Sequence, residues 1–255
     1  MLRTATRDDL PRLRELFARA NDAPYDLAAV AEEKCFGPGP SGAPVVRVFG
    51  DFEGAAVTCG RYLRVLAVDR ERRGRGIGTA LLEDSPAAVI AAEPGNYFTP
   101  GVSDGGFFGK RGFRAGAQTW NLHVDPAVAP PPWRASLTAA RHRDDVLAFV
   151  EREFGRIWRF EAASALRLFS IDHDGELAGF AAIEANNRGL GTFGPTGVAK
   201  HLRGRGLGRE LLLQALAGLA ELGYRRAVIP WTDALEFYRK SCGAEPAHQF
   251  TTFSK

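Results

Sequence analysis

The most informative stretch of this chain is "LAVDRERRGRGIGTALL", residues 66–82. It begins as an apolar strand, passes through a turn rich in arginine and glycine, and ends in an apolar run with helical spacing. A close copy, "TGVAKHLRGRGLGRELL", occupies residues 196–212. Because the first turn of a helix has unpaired N–H groups and glycines let an anion come close, this order predicts a phosphate-binding turn in each copy.

The two copies keep a constant displacement along the chain. Positions that recur 130 residues later are Arg73, Arg75, Gly76, Gly78, Leu81 and Leu82, which return as Arg203, Arg205, Gly206, Gly208, Leu211 and Leu212. Val68 returns at the same displacement as Val198, and Gly112 returns after 131 positions as Gly243. A displacement kept within one residue over this span predicts a duplicated domain.

The length and a proline-rich segment predict where one domain ends and the next begins. The 255 residues exceed the size of most single domains. Residues 125–135, "DPAVAPPPWRA", contain prolines that interrupt both helices and strand ladders. We therefore predict an N-terminal domain over residues 1–125, a linker over residues 126–134 and a C-terminal domain over residues 135–255.

Charge and cysteine content exclude several classes of protein. A net charge of +3 gives little support for nucleic acid or an anionic membrane as partner, so any anion binding must be local. No stretch approaches the ~20 apolar residues of a membrane span, and the N-terminus lacks a secretory signal, which predicts a cytoplasmic protein. Cys35, Cys59 and Cys242 are too scattered for a disulfide framework or a zinc site. We expect reduced cysteines and no metal.

The glycine turn does not fit the common nucleotide-binding fingerprints. A dinucleotide fingerprint needs G-x-G-x-x-G, but Thr79 lies three residues after Gly76. A Walker loop needs G-K-[ST], but Gly109-Lys110 is followed by Arg111. An RNA-binding arginine–glycine segment is usually of low complexity, whereas each copy here leads into an apolar helix.

The pattern that does fit is R-x-x-G-x-G, at residues 73–78 and again at residues 203–208. It resembles the acetyl-CoA pyrophosphate loop of the GNAT superfamily of N-acetyltransferases. In the second half, "DGELAGF" at residues 174–180 resembles the superfamily's turn into its third strand. The closing "ALEFYRKSCGA" at residues 234–244 resembles its A-x-x-F-Y helix. Two copies in one chain resemble the arrangement of mycothiol synthase-like proteins.

The resemblance implies a fold, a co-substrate and a set of contacts. The fold class is α/β (α+β), with two tandem GNAT domains, each built on a mixed, mostly antiparallel central sheet flanked by helices. The co-substrate is acetyl-CoA, and the reaction is acetyl transfer to a primary amine by direct attack on the thioester. The implied CoA-binding residues are Val68, Arg73, Gly74, Arg75, Gly76 and Gly78 in the first half, and Val198, Arg203, Gly204, Arg205, Gly206 and Gly208 in the second. The two valines would polarise the thioester carbonyl through their backbone N–H groups.

The same resemblance assigns the catalytic acid to Tyr238, which occupies the tyrosine position of the closing helix. The spacing from this tyrosine to the following glycine is one residue longer than the family's pattern. The first half has Phe107 and Phe108 at the corresponding place, and a phenylalanine donates no proton. We therefore expect the C-terminal domain to be catalytic and the N-terminal domain to be degenerate. Glu184 and His201 are weak candidates for a general base, and surface positions are the simpler interpretation of both.

Several alternatives stay open at this point. The acceptor is a small-molecule amine or a protein amine, and the protein is a monomer or a homodimer. One or both halves bind CoA. The alternative to an enzyme is a non-catalytic acyl-CoA-binding or regulatory protein, which the displaced spacing after Tyr238 would favour.

Overall fold

A computed structural model describes residues 1–22, 25–95, 105–127, 136–137 and 142–255 of the chain. These residues form two compact units. The first unit contains Met1–Thr119 and Gln249–Lys255, and the second contains Trp120–His248. The two units are described separately below.

The first unit alternates strands with short helices. Its strands are β1 (Leu2–Thr4), β2 (Val45–Phe49), β3 (Gly54–Cys59), β4 (Tyr62–Val68), β5 (Val89–Ile90) and the first part of β6 (Arg114–Val124). Its helices are α1 (Leu10–Ala20), α2 (Ala31–Phe36), α3 (Ile77–Glu83) and α4 (Gly105–Gly109). Helix α1 buries Leu13, Leu16 and Phe17, which have the spacing of one helical stripe.

Strand pairing in the first unit is antiparallel from β1 to β4 and parallel between β4 and β5. The parallel pairing is brief, because only Tyr62↔Val89 and Leu63↔Ile90 are in register. From Arg64 onward β4 is no longer paired with β5. The two strands therefore separate at this point and leave a gap between them.

The second unit holds the longest described helix, Leu207–Glu221, which has 15 residues. Its helices are α5 (Arg143–Phe154), α6 (Arg156–Ser164), α7 (Leu207–Glu221) and α8 (Leu235–Cys242). Its strands are β7 (Ser136–Leu137), β8 (Arg167–His173), β9 (Glu176–Ile183), β10 (Phe193–Val198), β11 (Ala227–Thr232), the second part of β6 and the first part of β12 (Glu245–Ser254). A core of leucines from α7 packs on this sheet, with Leu211, Leu216 and Leu219 fully buried.

Hydrogen bonding joins the described strands into one sheet of eight, in the order β1-β2-β3-β4-β5-β12-β6-β11, and one of four, in the order β10-β9-β8-β7. The predicted mixed, mostly antiparallel sheet flanked by helices is confirmed. The predicted pair of separate central sheets differs from this arrangement. The physical reason is that β6 and β12 have 11 and 10 residues, long enough for each to contribute to both units.

The C-terminal residues belong to the first unit. Phe253 and Ser254 of β12 pair with Ile90 and Val89 of β5. The Gln249 amide donates to the Gln118 side chain at 3.0 Å, within the same unit. The unit bounds therefore differ from the predicted ranges 1–125 and 135–255, because the chain returns to the first unit after residue 248.

Some predicted elements changed in detail. The continuous segment "DDVLAFVEREFGRIW" is divided at Gly155, where φ is 91°, into α5 and α6. The first half, in which no fifth strand was evident, has a two-residue β5. Residues 128–134 of the predicted linker lie outside the described residues.

Candidate functional site

The gap between β4 and β5 in the first unit opens into a cavity of about 610 Å³. Its walls are residues 63–68 of β4, the glycine turn, the end of α1, Ile90 of β5, and the helix α4 region with Phe107, Phe108 and Arg111. The volume lies within the range of small-molecule sites. The cavity therefore begins where the strands separate and ends at the predicted phosphate-binding turn.

The glycine turn of the first unit has a backbone that requires glycine. Gly74 has φ of 77°, and Gly76 has φ of 80° at the N-terminal cap of α3. An L-residue with a Cβ rarely adopts this left-handed conformation. Among the described residues, none accepts a hydrogen bond from the N–H groups of residues 74–79. These N–H groups are available to an anion in the cavity.

Gly78 is favoured for a different reason. A Cβ at Gly78 would lie 3.3 Å from the Phe107 ring and 3.5 Å from a Val68 methyl group. The missing side chain lets α3 approach both α4 and the end of β4. The predicted glycine positions of the first unit therefore all have a structural reason, and Gly74, Gly76 and Gly78 line the cavity.

Arg73 holds the turn in place from within the protein. Its Nε donates to the Val68 carbonyl at 3.3 Å, and its Nη2 donates to the Ala20 carbonyl at 2.7 Å. Its Nη1 lies 2.5 Å from an Asp22 carboxylate oxygen. Carbonyl and carboxylate oxygens of the protein thus hold three of its five N–H groups, and its contact with a phosphate stays a prediction. Arg75, by contrast, is exposed and has no ion-pair partner among the described residues.

The backbone of Val68 faces the cavity. The next residue, Asp69, donates its N–H to the Glu53 carbonyl at 2.9 Å, on the β3 side of the strand. Since successive N–H groups of a strand point to opposite sides, the Val68 N–H points away from β3 and toward the gap. This orientation agrees with the predicted role of Val68 as a carbonyl-polarising donor.

A buried ion pair closes the cavity where the two strands meet. The Arg64 guanidinium donates to both Glu93 carboxylate oxygens, at 2.6 and 2.8 Å, and both side chains are 2% exposed. Another Arg64 nitrogen donates to the Gly37 carbonyl at 2.6 Å. Burial raises the pKa of the nearby Cys59 thiol to about 11, so this cysteine is protonated near neutral pH. Cys59 is therefore not an activated nucleophile.

The second unit repeats the turn almost atom for atom. Gly204 and Gly206 both have φ of 80°, and Gly206 caps α7 as Gly76 caps α3. Arg203 Nε donates to the Val198 carbonyl at 3.2 Å, as Arg73 does to Val68. Arg205 Nη1 lies 3.1 Å from His173 Nε2.

The strands beside this second turn also separate. Thr192 and Val228 form a single parallel bridge between the β10 and β11 regions. Ala199 donates its N–H to the Ala178 carbonyl on the β9 side at 2.9 Å, so the Val198 N–H faces away from β9. A Cβ at Gly208 would lie 3.7 Å from a Val198 methyl group. The predicted residues of each half thus lie together within their own unit.

Tyr238 lies in the core of the second unit. Its side chain is 9% exposed and packs edge-to-face on Phe193 and Phe237, with ring centroids 6.2 and 5.0 Å away. Its hydroxyl makes no hydrogen bond with a described residue. Burial raises its pKa well above the usual range. Its role as the catalytic acid stays a prediction.

The first unit has Phe108 at the corresponding position, and it is similarly buried. Phe108 is 8% exposed and contacts Phe113 and Phe253, with ring centroids 5.9 and 5.5 Å away. Each unit therefore has a buried aromatic ring at this position, and only Tyr238 of the second unit carries a hydroxyl.

Glu184 and His201, the weak candidates for a general base, have different surroundings. The Glu184 carboxylate accepts hydrogen bonds from the Gly189 and Thr192 N–H groups and from the Tyr224 hydroxyl, at 2.5, 2.7 and 2.8 Å. These contacts fix the loop between β9 and β10, and the side chain is fully buried. His201 is exposed.

Sequence reasoning missed Arg111. Its guanidinium stacks on the Phe107 ring at 3.7 Å from the centroid and donates to the Phe107 carbonyl at 2.7 Å. Arg111 also bonds the Thr79 hydroxyl and lines the cavity. The "GKR" string carried no signal beyond a failed Walker pattern, so only the structure identifies this cation.

Two further features are absent from the described residues. No group of three or more His, Cys, Asp and Glu side chains in this part of the chain is arranged to hold a metal ion. In the same part of the chain, no helix has the length and apolar character to cross a membrane.

Comparison with known proteins agrees with the geometry. Residues 134–244 match the model of the acetyltransferase (GNAT) family. No curated protein sequence matches the chain significantly. The family match therefore covers most of the second unit and leaves the first unit to be assigned by its structure.

Solved structures resemble the whole chain at low sequence identity. A GCN5-related N-acetyltransferase from Sphaerobacter thermophilus is 19% identical with a TM-score of 0.67, over 100% of this chain and 95% of that one. A tandem GNAT protein from the clavulanic acid biosynthesis pathway is 20% identical with a TM-score of 0.67, over 100% and 98% of the two chains.

A third structure is a glucosamine N-acetyltransferase region of a fungal multi-domain β-N-acetylglucosaminidase. It is 17% identical with a TM-score of 0.74, and this chain covers 38% of its length. Identities this low establish the fold and leave the substrate open. The chain has the fold of the GNAT superfamily, and its residues 134–244 match the acetyltransferase (GNAT) family itself.

Proposed function

We propose that this protein transfers the acetyl group of acetyl-CoA to a primary amine and that the first unit binds the acetyl-CoA. The observation that carries the proposal is the cavity between β4 and β5, which ends at the N–H groups of residues 74–79, from which no described residue accepts a hydrogen bond. A gap between strands beside an anion-binding turn suits a ligand with a phosphate-bearing end and an extended arm.

The fit to acetyl-CoA has three parts. The turn supplies backbone donors for a pyrophosphate, and Arg75 supplies a cation that no carboxylate neutralises among the described residues. The separated edge of β4 supplies unpaired backbone groups for the pantetheine amides. The cavity of about 610 Å³ has room for the arm of the ligand.

The chemistry assigned to the chain is the polarisation of a carbonyl. A donor at the Val68 N–H stabilises the negative charge that develops on the thioester oxygen when the amine attacks, typically by about 2.7–4 kcal/mol. The nitrogen forms a bond to the carbonyl carbon, the carbon–sulfur bond breaks, and the amine proton leaves to solvent. The CoA thiolate is protonated by solvent or, if the second unit catalyses transfer as the sequence predicts, by Tyr238.

The acceptor is proposed only as a class. The tandem neighbour and the glucosamine-acetylating neighbour share this fold, so a small amine or an amino sugar is a reasonable first panel, with a protein amine as the alternative. The fold alone selects none of them.

A matched pair of variants tests the proposal. Arg75→Glu and Arg205→Glu reverse the same charge at the same place in the two turns. Titration calorimetry with acetyl-CoA should show a loss of affinity of about 10-fold or more for Arg75→Glu, because a repulsive charge replaces an attractive one beside phosphate. If neither variant changes the affinity, the turns do not bind the nucleotide.

A non-catalytic acyl-CoA-binding protein is the second candidate. The observation that favours it is Phe108, which leaves the first unit without a proton donor at that position. Release of free CoA thiol should be followed over a panel of amines with the wild-type protein. Binding of acetyl-CoA with no thiol release for any amine would favour this candidate over the enzyme.

A further inference from the structure

We infer that Arg111 binds a phosphate group of the CoA nucleotide in the first unit. The inference rests on the proposed function, since it names a residue that would recognise the same ligand. Arg111 lies outside the repeated R-x-x-G-x-G pattern and follows the short helix α4. It would add to the turn a side-chain contact that the repeat itself does not provide.

Arg111 is held in a fixed orientation. The Phe107 ring supports one face of the guanidinium at 3.7 Å, and the Phe107 carbonyl accepts from Nη1 at 2.7 Å. The Thr79 hydroxyl accepts from Nε at 3.2 Å and from Nη2. Since these contacts use three of the five guanidinium N–H groups, Nη1 and Nη2 each keep one. Two adjacent N–H groups form the fork that binds two oxygens of one phosphate.

The charge of Arg111 is not neutralised by a carboxylate among the described residues, unlike that of the other arginines that line the cavity. Arg64 pairs with Glu93, Arg72 lies 3.4 Å from Glu53, and Arg73 lies 2.5 Å from Asp22. A half-buried cation with two unused donors in a ligand-sized cavity suits an anionic group of the ligand.

The second unit also has an arginine in this pair of positions. There it occupies the position that corresponds to Thr79, not the one that corresponds to Arg111. Counted back from the left-handed glycines Gly112 and Gly243, Arg111 corresponds to Cys242. Thr79 corresponds to Arg209 at the displacement of 130. Arg209 follows Gly208 directly and lies in the first turn of α7.

The pair Thr79–Arg111 is therefore matched by Arg209–Cys242. One arginine stands beside the glycine turn in each unit, supplied by the closing helix region in the first and by the turn helix in the second. If the arginine only stabilised the packing of two helices, we would not expect it on the closing helix region in one unit and on the turn helix in the other. A requirement for positive charge beside the turn explains both placements.

The experiment measures which part of the ligand Arg111 recognises. Wild-type protein and Arg111→Gln are titrated with acetyl-CoA by calorimetry, and with S-acetyl-pantetheine, which has no phosphate, by thermal shift up to millimolar concentration. We expect Arg111→Gln to weaken acetyl-CoA binding about 10- to 100-fold and to leave acetyl-pantetheine binding within about 2-fold. Arg111→Lys keeps the charge without the fork and should have an intermediate affinity for acetyl-CoA.

Arg114→Gln is the matched control, because it removes one exposed positive charge three residues away from Arg111. It should bind acetyl-CoA as the wild type does. Equal weakening of both ligands by Arg111→Gln would show that the side chain only maintains the cavity, and no weakening of either would also overturn the inference. Absence of acetyl-CoA binding by the wild-type protein would instead remove the proposed function itself.

Discussion

The ring of Phe253 lies 5.5 Å from the ring of Phe108, and the two planes are tilted by 35°. Phe253 belongs to the C-terminal strand β12, and Phe108 lines the cavity of the first unit. A residue of the C-terminal strand thus packs against a residue of the cavity wall.

Replacing Phe253 should destabilise the first unit. Phe253 is 5% exposed, and a buried Phe→Ala substitution costs about 3–5 kcal/mol because it loses burial and leaves a cavity. The free energy of unfolding of Phe253→Ala, measured by chemical denaturation, should fall by this amount. Ser254→Ala, at the exposed neighbouring position, should change it by less than about 0.5 kcal/mol. Similar stability of the two variants would contradict the pairing of β12 with β5.

This pairing could not be predicted from the sequence. The alternation of residues in β12 predicts a strand, but it does not specify which strand will be its partner. The proline-rich segment of residues 125–135 predicts a domain boundary, and the predicted C-terminal domain of residues 135–255 therefore includes residues 249–255. Strands β6 and β12 are long enough to pair with strands of both units. Which strands they pair with depends on the tertiary arrangement.

The buried pair of Arg64 and Glu93 should be sensitive to the loss of either partner. Glu93→Gln leaves the Arg64 charge without its carboxylate at 2% exposure, and such a loss typically costs about 3–5 kcal/mol. The free energy of unfolding, measured by denaturant for Glu93→Gln and for the double variant Arg64→Met, Glu93→Leu, separates the effect of an unpaired charge from that of altered packing. We expect the double variant to recover most of the stability, because no uncompensated charge remains buried. A double variant as unstable as Glu93→Gln would contradict this explanation.

The phenol of Tyr238 provides a test of where the chemistry occurs. If Tyr238 is the acid, as the sequence predicts, Tyr238→Phe should reduce kcat by about 100-fold or more. Because its hydroxyl is buried among aromatic rings, without a partner in the described residues, we expect a loss of less than about 3-fold, within the range of a conservative core change. Thiol release with a fixed amine acceptor measures the difference. A 100-fold loss with unchanged stability would place catalysis in the second unit.

Tyr224 should make the protein less stable at alkaline pH. Burial and the hydrogen bond to Glu184 raise its pKa to about 12 from the usual value near 10. Between these two values the unfolded chain releases the proton and the folded chain keeps it. The free energy of unfolding therefore falls as the pH rises from about 10 to about 12.

The variant Tyr224→Phe removes this titration. Its stability should decline less steeply above pH 10 than that of the wild type, while part of the slope persists because burial also raises the pKa of Tyr238. Denaturation curves at several alkaline pH values provide the comparison. Identical slopes for the two proteins would contradict the assigned contact with Glu184.

The glycine turns were the part of the site that sequence could predict. Gly76 and Gly206 adopt a left-handed backbone, which glycine adopts most easily, so the residue type itself predicts the turn. The partners of the arginines were not predictable, since a side chain's choice between a ligand and a neighbouring carboxylate depends on the fold. The contacts of Arg73 with protein oxygens were not predictable from its residue type, and Arg111 carried no signal at all.

A crystal structure of the protein grown with acetyl-CoA would test the central claim most directly. The account predicts density for the pyrophosphate at the N–H groups of residues 74–79 and for the pantetheine arm between β4 and Ile90 in the first unit. Density only beside residues 203–208 of the second unit, or none at a saturating concentration of acetyl-CoA, would contradict it.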